Sequence, residues 1–258
     1  MLENGKRVTM DRSSELTRLL DRLDKGEDPL RVKADAKPFL ETTPLSDLIL
    51  TIQNLLKKET LVQGVIRLCS NYITLIDDQT ALIRAHLPAG HVIKTLIDEH
   101  ETFLCFLDDL DFVNQSIQRM DDYLPSREEY RRLNHIAEQL IGADLHHKRE
   151  EDILFPELEK RGLNAPLAAI RKEHEEITRY KNRLLYLARN AADMDFPSFT
   201  AQLNEVIYSL VPMFRGHILK VNNILFPIAL NVIDDNDVWL RLKIDCDRVG
   251  YCCFAMSR

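Results

Sequence analysis

The chain carries one segment twice. Residues 146–156 read His-His-Lys-Arg-Glu-Glu-Asp-Ile-Leu-Phe-Pro, and residues 217–227 read His-Ile-Leu-Lys-Val-Asn-Asn-Ile-Leu-Phe-Pro. The offset is constant, since 71 residues separate His146 from His217 and also Pro156 from Pro227. A second pair matches as well: Asp98-Glu99-His100-Glu101 and Lys172-Glu173-His174-Glu175. Four histidines, His100, His146, His174 and His217, thus fall on four successive segments, laid out as two similar hairpins. That pattern points to a four-helix bundle whose rods bring imidazoles to a common level, as a buried metal site requires.

Hydrophobic periodicity agrees with an all-α chain. Leu16, Leu19, Leu20 and Leu23 recur at helical spacing, with Ser13 or Ser14 as the expected N-cap and Gly26 as the stop. A short helix is expected from Pro29 after Asp28, weakened near its end by Pro38. Two more are expected after Pro44 and Thr60, and Leu87-Pro88-Ala89-Gly90 closes this group. Four longer segments follow, about 91–123, 126–158, 167–190 and 199–230. They are separated by Leu124-Pro125-Ser126, by 161–166 and by 193–197. Pro156 and Pro227 are expected to end or kink the second and fourth. A last helix is expected over 238–248, with the single tryptophan, Trp239. The expected organisation is a small helical domain over 1–88, an up-down four-helix bundle over 89–232 and a tail helix over 233–258.

Composition removes several function classes. A net charge of −7 lacks the clustered positive surface that nucleic acid needs. No apolar run approaches a membrane span, and the polar first ten residues are no signal peptide. Cytoplasmic localisation is the default expectation. The five cysteines, Cys69, Cys105, Cys246, Cys252 and Cys253, form no disulfide framework and read as reduced thiols.

The candidate metal ligands are His100, His146, Glu150, His174 and His217. Imidazole suits iron, zinc or copper, and a carboxylate shifts the preference toward iron or manganese. His146 and Glu150 share a helix face, because four residues advance close to one full turn. His147 and Glu151 have the same spacing, and the apolar row Leu133, Ile136, Leu140, Ala143, Leu154 and Leu158 runs through them. The internal repeat decides for His146, whose equivalent His217 is the only histidine in its copy; His147 then packs beside the site or faces solvent. Glu99, Glu101 and Glu175 read most simply as solvated charges, with hydrogen-bond partners of the imidazoles as the alternative. His86, His91 and His135 read as non-ligands; His135 lies about 16 Å from His146 by helical rise alone.

The order His100, His146-x-x-x-Glu150, His174, His217, with Leu-Phe-Pro after the second and fourth, resembles the hemerythrin-like HHE cation-binding domains over roughly 91–230. Residues 61–69 are similar to part of a small helical domain of unknown function that precedes some of these bundles in bacteria and archaea. The stretch from Trp239 to Cys253 is similar to a segment that leads into a PAS sensor in longer relatives, although no sensor is expected after Arg258. The resemblance implies an oxo-bridged non-haem di-iron centre that binds dioxygen or nitric oxide, or that senses or repairs redox damage. Two features depart from the family. Val221 stands where a second carboxylate is expected, and no further histidine lies near the end of the first bundle helix. One iron or two are therefore both compatible with the residues.

The expected function is a non-haem iron protein sensing or binding dioxygen, nitric oxide or redox state, with a possible signalling protein partner. The alternatives are an iron-dependent redox or repair enzyme, and a metal-free helical interaction module with a degenerate site.

Overall fold

With only 8 glycines in 258 residues and apolar residues at i, i+3 and i+4, most of the backbone has no reason to leave the helix. The computed structural model describes residues 2–123 and 127–252, and among these no strand occurs. The Leu124-Pro125-Ser126 separator and Cys253 lie outside the described residues. The chain forms two compact units.

The first unit comprises residues 1–86, 156–170 and 219–238. Its helices are α1 (Leu2–Asp24), α2 (Pro29–Thr42), α3 (Leu45–Lys58), α4 (Val62–Leu75) and α5 (Thr80–His86). α1 begins well before the expected cap: Ser13 is already inside it, its carbonyl accepting from Thr17 Oγ1 at 2.8 Å. Nothing upstream breaks the helix, so the serines do not start it. Gly26 does stop it, with φ +80°, a conformation that costs a residue without Cβ nothing. Asp28 caps α2, its carboxylate accepting from the Leu30 N–H at 3.2 Å with Pro29 at the first helical position. Pro38 sits inside α2, which continues to Thr42. Leu16, Leu19, Val32, Ile52, Leu56 and Tyr72 form the buried centre of this unit. Asn223 joins it, accepting from the Gln79 N–H at 2.7 Å and donating to Asp78 at 3.1 Å.

The second unit comprises residues 87–155, 171–218 and 239–258. The bundle helices are α6 (Val92–Ile117), α7 (Glu128–Gly142), α8 (Asp144–Arg149), α10 (Asn164–Asn190) and α11 (Phe196–Lys220). Phe103, Leu107, Leu110, Leu133, Leu140, Leu184, Leu203 and Phe214 fill its interior. α13 (Asn236–Val249) is the last described helix, and its Trp239 ring lies 4.6 Å from the His91 ring.

Of the two outcomes expected at the prolines of the repeat, an end or a kink, the first does not occur. Neither proline ends its helix: α9 (Phe155–Glu159) and α12 (Phe226–Val232) each contain one. Each follows a π-helical segment instead, Glu150–Leu154 and Val221–Leu225, again 71 residues apart. Proline lacks an N–H and its ring clashes with the carbonyl four residues back. A widened i→i+5 turn, closed here by Phe155 N–H to Glu150 O and Phe226 N–H to Val221 O, absorbs the mismatch.

Candidate metal centre

Within the second unit α6 supplies Glu99 and His100, and α8 supplies His146, His147 and Arg149. The first π segment supplies Glu150 and Glu151, α10 supplies Glu173 and His174, and α11 supplies His217. His100, His146, Glu150 and His217 are completely buried, and His147 and His174 nearly so. The imidazoles meet. Ring centroids lie 4.4 Å apart for His100 and His146, 4.0 Å for the stacked His147 and His174, and 4.8 Å for His174 and His217.

Six side chains sort into two groups of three. His100, His146 and Glu150 form one; His147, His174 and His217 form the other. In each group one donor atom per residue lies within 4.8 Å of the others. Glu150 reaches toward both. Its Oε1 is 3.5 Å from His146 Nε2, and its Oε2 is 3.2 Å from His174 Nε2. Neither approach has hydrogen-bond geometry, and both carboxylate oxygens are buried without a hydrogen-bond partner.

The opposite side of three rings is tied to carboxylates. His146 Nδ1 is 2.7 Å from Glu99, His174 Nδ1 is 2.5 Å from Glu151, and His217 Nδ1 is 3.0 Å from Glu173. An acceptor at Nδ1 selects the tautomer protonated there and leaves the Nε2 lone pair facing inward. The Nε2 atoms of His146, His174 and His217 are buried and make no hydrogen bond, and both nitrogens of His147 share that condition. Burying that many unsatisfied polar atoms costs several kcal/mol unless something meets them. Five imidazoles and one shared carboxylate have the donor chemistry of a nitrogen-rich transition-metal site. The residues fit a metal.

Glu99 corrects the sequence expectation. It is 1% exposed, not solvated, and its carboxylate accepts from Arg149 at 2.7 and 2.6 Å as well as from His146. Burial opposes its charge, yet the His146 hydrogen bond and the Arg149 guanidinium hold the carboxyl down at about 2. Arg149 is itself fully buried and lies 4.7 Å from the Tyr251 ring centre. Glu175 is exposed, as expected. Burial holds His147 well below the ordinary imidazole range, helped by neighbouring His174 and Lys181, so it stays neutral and able to donate a lone pair. Burial also lowers His217, against the pull of Glu173. His146 and His174 are raised although burial opposes it, because Glu150 faces both and Glu99 or Glu151 backs each.

The structure brings together all five sequence-chosen residues, and it adds His147. The choice between positions 146 and 147 dissolves because both rings point inward, one to each group. The signal for His147 was the apolar row passing through it. His86 and His135 are exposed, and half-buried His91 caps α6 by accepting from the Ile93 N–H at 3.2 Å. Val221 is a buried apolar residue, and Glu150 is the one carboxylate in either group among the described residues. Among the described residues the four cysteines form no disulfide. Among the described residues no helix is long and apolar enough to cross a membrane.

No curated protein matches the chain. The model of the hemerythrin HHE cation-binding domain matches residues 91–229, more than half of the sequence. That range holds every histidine and carboxylate of the two groups, and the chain belongs to the hemerythrin HHE cation-binding domain family.

Proposed function

We propose that this is a cytoplasmic non-haem iron protein that binds or senses a small diatomic ligand, dioxygen or nitric oxide, or the redox state that accompanies it. His100, His146 and Glu150 would hold one ion; His147, His174 and His217 would hold a second, with Glu150 shared between them. The observation that carries this reading is the pair of three-donor groups around one buried carboxylate without a hydrogen-bond partner. Iron there supplies coordination positions open to a diatomic ligand and an accessible one-electron change.

The protein's own contribution is orientation, charge and dryness. Glu99, Glu151 and Glu173 hold the rings of His146, His174 and His217 with Nε2 inward. Arg149 offsets the buried Glu99 charge. Phe103, 5.4 Å from the His146 ring, and Phe214, 6.0 Å from the His147 ring, exclude water from that side. A signalling partner would read the change of state.

The test is an iron titration of metal-free protein without air, followed by exposure to dioxygen or nitric oxide. The expected result is two ferrous ions per chain and a new charge-transfer absorption on exposure. Glu150→Ala lowers the iron content, because it removes the donor common to both groups. No iron uptake, or full uptake by Glu150→Ala, contradicts the proposal.

A further inference from the structure

The two three-donor groups differ in what stands behind them. His146 is backed by Glu99, which is covered in turn by Arg149 and by the Cys252 backbone N–H at 3.3 Å, all buried. The group of His147, His174 and His217 has an opening. A cavity of about 470 Å3 is floored by His147 and His174 and rimmed by Asp144, Glu151, Asp152 and Glu175. Lys148 is the one cation on that rim. Asp152 and Glu175 are exposed carboxylates, whereas Asp144 is bound to buried Lys181 at 2.6 Å and Glu151 to His174.

His147 makes this more than an acidic surface. It is 5% exposed, it faces the cavity, and neither ring nitrogen has a hydrogen-bond partner. His146, His174 and His217 each have a carboxylate fixing Nδ1; His147 has none. Only one of its nitrogens is needed to complete its group, so the ring keeps a spare donor and no polar contact to prevent rotation.

We infer that this cavity is the mouth through which a divalent cation enters the bundle, drawn by Asp152 and Glu175 and first taken up by His147. The inference rests on the metal-binding reading given above. Carboxylates around a low-dielectric opening raise the local concentration of cations and speed their capture, and salt removes the effect. Desolvation is then shared: the rim replaces part of the hydration shell before the imidazoles of His147 and His174 complete the exchange.

The experiment is stopped-flow uptake of Co2+ alone by the metal-free full chain, followed by cobalt absorption, with final cobalt content measured separately. Asp152→Asn/Glu175→Gln should slow the second-order uptake by about five-fold or more at low ionic strength. Lys148→Gln should accelerate it, and at 0.5 M salt all three proteins should converge. Final content should stay at the wild-type value in both variants. Wild-type final content with unchanged rates in both overturns the entry mouth and leaves the metal centre standing. Failure of the wild type to take up cobalt at all overturns both.

Discussion

At the scale of single residues, the least expected arrangement is the buried pair of Glu99 and Arg149 behind His146. In the sequence Glu99 is one of four acids beside a histidine, and nothing local distinguishes it from exposed Glu175. Its partner is 50 residues away, so the pairing becomes visible only when α6 and α8 pack. Removing one partner of a buried ion pair leaves the other charge unmatched, which costs about 3–5 kcal/mol. Glu99→Gln should therefore lower the unfolding free energy by about that amount and weaken metal affinity about 10- to 100-fold. Denaturant titration and metal competition check the two effects separately. Arg149→Met/Glu99→Gln should recover much of the stability without restoring the affinity.

His91 gives a pH-dependent expectation of the same kind. Burial lowers its pKa, and its Nδ1 can accept from the Ile93 N–H only when unprotonated. The unfolded chain therefore binds the proton more readily than the folded one. The contribution of His91 is complete above its unfolded value of about 6.5 and is lost as pH falls through the lower folded value. His91→Asn keeps a capping oxygen that does not titrate. Between pH 7.5 and 5.5 the wild type should lose urea resistance relative to His91→Asn; parallel pH profiles would contradict the role.

At the scale of elements, helices were legible and their irregularities were not. Leu133, Ile136, Leu140 and Ala143 mark a buried face, and the 71-residue repeat marks which histidines are equivalent. A wheel of 100° per residue then forces a choice between positions 146 and 147, because it assumes one uninterrupted helix. The π-helical segment Glu150–Leu154 breaks that assumption, placing Glu150 and Leu154 inside while Glu151 stays partly exposed. Pro156 was visible, but whether a proline ends, kinks or widens a helix is decided by the packing around it. Deleting exposed Asp152 removes the extra residue and rotates the flanking turns by about 100° relative to each other. Circular dichroism should then report nearly unchanged helix content, while metal uptake is lost. Retained uptake would show that the widened turn does not position the ligands.

At the scale of the whole molecule, the sequence announces an all-α chain and the span of its HHE domain. It does not announce that residues 156–170 and 219–238 belong to the same compact unit as the N-terminal helices. Contacts such as Asn231 to Gln53 and Asn223 to Gln79 span 178 and 144 residues and have no local signature. The second unit carries buried donor atoms that no protein group satisfies, so the folded state should gain from a ligand the unfolded chain cannot hold. Ferrous iron at 100 times its dissociation constant should stabilise that unit by about 2.7 kcal/mol, read as a rise in its thermal midpoint.

The most direct measurement is metal content against stability in the wild type, Glu150→Ala and His147→Ala, each reconstituted with ferrous iron without air. The wild type should hold two ions and show a raised midpoint, with fewer ions and a smaller rise in both variants. A wild-type protein that takes up no iron and melts at the same temperature with and without it would contradict the account.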